Sequence, residues 1–84
     1  AMVATVQGHL DAVAQQRGYD GILSLASYAA STHPPFAAEG QAGLNWRDAV
    51  WGYCYQVLAD VQSGTRTIPA AEALIAELPV MVWP

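Results

Sequence analysis

Few side chains in this 84-residue chain are suited to covalent or acid–base chemistry. One cysteine (Cys54), two histidines (His9 and His33), three arginines and seven carboxylates make up the set, and lysine is absent. A thiol nucleophile with an imidazole base would draw on Cys54 with His9 or His33. Cys54, however, falls on the apolar stripe of a long helical segment, between Val50 and Val57. A thiol in such surroundings is inert filler. No HxxxH, CxxC or clustered-carboxylate spacing occurs, so no metal site and no cofactor are expected. The carboxylates Asp11, Asp20, Glu39, Asp48, Asp60, Glu72 and Glu77 are scattered and suit solvated faces and helix caps. No glycine-rich loop follows a strand pattern, so a phosphate cradle is missing as well. The expectation is a chain with no catalytic residue.

Arg47 and the aromatic residues carry recognition chemistry instead. Arg47 sits on the apolar stripe with Trp51 four residues on, where a guanidinium can stack on a ring. A buried Arg must be paired. Either it ties the long helix to Asp20 or Glu39, or it is a docking contact for a partner. Trp51 is the expected core residue. Trp46 and Tyr53, seven apart, share a second face that is either covered by the first helix and the tail or forms an interface. Trp83, close to the C-terminal residue, is expected to dock on the helices or on a partner. Trp46, Arg47, Tyr53 and Trp83 are therefore the candidate partner-binding residues.

Positioning these side chains falls to an all-α arrangement of about four helices with one long central helix and an extended C-terminal tail. Val3, Val6, Leu10 and Val13 recur at three- and four-residue steps, predicting a helix to Arg17 that Gly18 ends. Asp20 is placed to cap a short helix over residues 21–30. The Ser31–Pro35 run breaks it. A helix of up to 28 residues, about 42 Å long, is then expected from Phe36 to Ser63, ended by Gly64. Its internal Gly40, Gly43 and Gly52 mark either close approach of another backbone or a later start near Asn45. Pro69 suits the first position of a last helix, Ala70 to Leu78, which Pro79 stops.

Length and composition bound the rest. Residues 3–84 read as one domain, with Ala1-Met2 as a cloning remnant. Only 12% of residues are charged against 54% apolar. Such a lean charged surface leaves apolar area over after folding and favours a dimer, a trimer or docking on a larger body. A net charge of −4 with three scattered arginines cannot neutralise a row of phosphates. The same balance speaks against nucleic acid and against an anionic membrane surface. One cysteine permits no internal disulfide, and no apolar run reaches the length of a membrane span. No signal-peptide pattern is present.

Six sequence words taken together carry a family resemblance. They are Arg17-Gly-Tyr-Asp20, Ser27-Tyr28, Ala38-Glu-Gly-Gln-Ala42, Trp46-Arg-Asp-Ala-Val-Trp51, Val61-Gln-Ser-Gly64 and Glu77-Leu-Pro79. The chain resembles a small helical domain of uncharacterised function in tail- and tail-fibre-associated proteins of tailed bacteriophages and prophages. The likeness runs from about Val3 to Pro84. It implies a structural or protein-interaction role among other phage tail or tail-fibre proteins, in the virion tail or in the host cytoplasm during assembly. A transient tail-fibre assembly chaperone is the alternative. The family carries no catalytic signature to transfer.

Overall fold

One 29-residue helix dominates the computed structural model, which describes residues 2–84. The elements run α1 (Met2–Gln15), α2 (Ile22–Ser27), a single 3-10 turn (Tyr28–Ala30), α3 (Pro34–Gln62) and α4 (Ala71–Glu77). The segment after α4 runs to Pro84 without regular secondary structure, leaving the helix through an extended Leu78. At 1.5 Å per residue α3 is about 43 Å long. It accounts for most of the 47 Å length of a molecule only 18 × 16 Å in section. The other elements lie along it. Among the described residues there is no strand. No helix among them is long and apolar enough to cross a membrane.

The ends of α1 and α3 follow from their glycines. Gly18 and Gly64 take φ of +85° and +83°, the left-handed region that favours glycine. Each closes a Schellman motif. The N–H of Gly18 donates to Gln15 O and that of Tyr19 to Ala14 O; the N–H of Gly64 donates to Val61 O and that of Thr65 to Asp60 O. Pro34 and Pro35 start α3, where missing N–H groups cost nothing.

The start of α2 differs from expectation. Asp20 does not cap it; Asp11, reaching across from α1, accepts the Ile22 N–H at 2.9 Å through Oδ1. Gly21 leaves room for that carboxylate, since a Cβ there would lie 2.7 Å from Asp11 Oδ1. The helix is also shorter than expected and tightens into the 3-10 turn after Ser27. Similarly, α4 begins at Ala71 behind an extended Ala70, so Pro69 precedes the helix by two residues.

α3 is continuous, and its glycines divide by environment. Gly40 and Gly43 are buried where α2 and the 3-10 turn cross. A Cβ on Gly40 would overlap the Ala29 backbone, and one on Gly43 would overlap the Leu25 side chain. Gly52 faces open space. The core gathers Val6, Leu10 and Ala14 of α1, Ile22 and Leu25 of α2, and Trp46, Val50 and Val57 of α3. Leu74, Leu78 and Met81 close it.

Candidate functional site

The four candidate partner-binding residues separate in the structure. Trp46 is only 5% exposed and belongs to the core. Its indole Nε1–H donates to Pro79 O at 2.7 Å, and its ring meets His9 edge-on at 5.9 Å. It fastens the C-terminal tail to α3 and is closed to a partner, which corrects its place among the docking anchors. Tyr53, on the same side, is half-buried. Its hydroxyl donates to Glu77 Oε1 at 2.6 Å. Trp83 packs against the core, and the Arg17 guanidinium lies over its ring at 4.6 Å. Its docking partner is thus the domain's own α1 end. Arg47 pairs with neither Asp20 nor Glu39; Glu39 is taken by Arg17 at 2.9 Å. The closest carboxylate to Arg47 is its neighbour Asp48, at 3.9 Å. Arg47 remains one-third exposed on α3.

Two polar clusters that the sequence reading missed brace this arrangement. Arg66 makes a bidentate pair with Glu77, both distances 3.0 Å, while Tyr53 donates to the same carboxylate. These bonds hold the Glu77 carboxyl down at about 2 and raise both Arg66 and Tyr53. At the other end, Tyr19 Oη donates to Glu39 at 2.8 Å beside the Arg17 pair. Burial, and then the adjacent Glu39 carboxylate, push the Tyr19 hydroxyl up to about 12. The partners are 11 to 24 residues apart in sequence. No local spacing rule could have matched them, since such rules reach only one helical turn.

The stripe assignment on α3 is the larger correction. The inward stripe is Gly43, Trp46, Val50 and Val57. Trp51, the expected core residue, is half-buried and packs against the core's edge, as does Cys54. With Leu58 and Val61 they form a neighbouring stripe that no element of the chain covers fully. This stripe is the floor of an open groove of about 610 Å³. Outside α3 its lining comes from Met2, Val3 and Val6 of α1, Ile68 and Pro69 of the loop before α4, and Leu74 of α4. No lining residue is charged. Val3, Tyr55, Leu58 and Ile68 remain among the exposed large apolar residues.

Chemically the groove offers contact area and little else. Burial pushes the Cys54 thiol up, away from the reactive thiolate. The His33 ring lies tilted at 52° against Phe36, with the ring centres 4.4 Å apart. Among the described residues no group of three or more His, Cys, Asp or Glu side chains is placed to hold a metal ion. No buried side-chain N or O among them lacks a hydrogen-bond partner. A smaller hollow of about 300 Å³ lies beside Tyr19, Tyr28 and Phe36. Of its three charged members, Arg17, Asp20 and Glu39, Arg17 and Glu39 are already paired with each other.

Comparison of the chain with protein-family models, with curated proteins and with solved structures gave no match.

Proposed function

We propose that this chain is a non-enzymatic structural domain of a bacteriophage or prophage tail or tail-fibre protein, acting by docking a protein helix in its apolar groove. The tail context comes from the resemblance of the sequence. The docking role is carried by one observation: a groove of about 610 Å³ whose lining holds no charged residue. Apolar grooves of this kind take the apolar face of an amphipathic helix, read at three- and four-residue spacing. A substrate site would instead need a few convergent polar groups among the apolar ones.

The test uses the whole parent protein in a cell producing the phage. A structural domain is retained in purified tails, where mass spectrometry detects its peptides. Leu58→Glu, at a half-exposed groove position, leaves the protein folded but lowers its incorporation at least tenfold. Peptides found with immature fibres and absent from finished tails would instead identify a transient chaperone. Normal incorporation of the Leu58→Glu protein would remove the groove from the account.

A further inference from the structure

The residues of α3 that face the groove repeat in a way that suits a helix like itself. Trp51, Cys54, Leu58 and Val61 line the groove, and with Leu44 and Arg47, which lie before it on α3, they follow alternating three- and four-residue steps, the a and d positions of heptads. Between Trp51 and Val61 the seam is wholly apolar and incompletely covered. We propose that a second copy of this chain covers it, the two α3 helices packing antiparallel along this seam. The proposal rests on the docking reading above and names the occupant.

Three observations favour a second copy. The first is size matching. An antiparallel pair centred at Gln56 brings the two α3 helices together so that Trp51 of each copy meets Val61 of the other, and Leu58 meets Cys54. Every layer then sets a large side chain against a small one, as interdigitated helix packing requires. The second is charge. The chain carries −4, so a pairing must avoid facing carboxylates. On the side of the seam away from the core, the flanking positions are Asp48, Tyr55 and Gln62. The antiparallel register brings Tyr55 near its own counterpart at the centre and moves the two Asp48 side chains to opposite ends. The third is area. Val3, Tyr55, Leu58 and Ile68 keep 68%, 71%, 50% and 74% of their surface exposed. Covering them and their half-exposed neighbours removes roughly 600–700 Å² per copy, taking each apolar side chain at about 100 Å². The two-copy total of about 1,200–1,400 Å² reaches the range of specific, stable interfaces.

Sedimentation equilibrium of the isolated chain tests the proposal. At about 100 μM, above even the weak, micromolar end of the affinities that specific interfaces show, the mass should be twice the 8.9 kDa of one copy. Leu58→Glu should keep its helical circular dichroism and weaken association at least tenfold. A wild-type monomer at that concentration would overturn the proposal, and so would a trimer or a dimer that Leu58→Glu leaves intact. The monomer result combined with failed tail incorporation of the Leu58→Glu protein would assign the groove to a different chain. A dimer combined with normal incorporation would keep the second copy and remove the docking role in tails.

Discussion

Glu77 carries the clearest single-residue consequence. It is the last residue of α4, where the helix dipole disfavours a carboxylate. Arg66 and Tyr53 reverse that disadvantage by three short hydrogen bonds. Because the folded chain holds this carboxyl down at about 2, against 4.5 for a free one, the cluster's contribution is complete above pH 4.5. It is lost as pH falls from there toward 2. Replacing Glu77 by Gln removes the contribution at neutral pH and with it part of the acid limb. Thermal melts across pH 2–7 should show the variant melting lower near neutrality, with the two curves converging in acid. Parallel curves down to pH 2 would mean that the cluster does not tie α4 and its preceding loop to α3. At the same scale, Trp46 shows how a side chain with the composition of a binding anchor becomes core. Its N–H finds Pro79 O, so the whole indole can be buried without an unmet donor.

At the scale of elements, the glycines of α3 give opposite expectations for the same substitution. Gly40→Ala puts a methyl group into the Ala29 backbone at the crossing with the 3-10 turn. Chemical denaturation should show a loss of about 1–3 kcal/mol. Gly52→Ala adds its methyl group to open space on the same helix. It should gain about 0.5–1 kcal/mol from helix propensity alone. Equal effects at the two sites would refute the close crossing. The lengths of α1 and α3 were legible because three- and four-residue spacing, Pro34-Pro35, Gly18 and Gly64 are local signals. The cap of α2 was not, because its acceptor, Asp11, arrives from another helix. Which stripe of α3 faces inward was also hidden from periodicity, which offers Trp46 and Trp51 as neighbours on adjoining stripes. The signal that decides between them is the buried pair Gly40 and Gly43. Glycines that admit a crossing helix mark the inward face, and Trp46, Val50 and Val57 lie on it.

For the whole molecule, shape and composition point the same way. A 29-residue helix is longer than the short elements packed along it can cover. The N-terminal half of α3 is crossed by α2 and the 3-10 turn, whereas the C-terminal half keeps a groove along one side. With 54% apolar and 12% charged residues, the chain has little polar material to dress that side. The central claim is that the α3 seam is completed by a second copy. Mass reports that copies associate; the lone cysteine reports where. Cys54 lines the groove and is the chain's only thiol. Its rate of modification by a maleimide should therefore be measured at fixed pH, as wild-type protein rises from about 1 to about 100 μM across the micromolar range of such interfaces. Closure by a second copy predicts a rate that falls several-fold over that range in the wild type and stays constant in Leu58→Glu. A wild-type rate that is independent of concentration and equal to that of Leu58→Glu would contradict it.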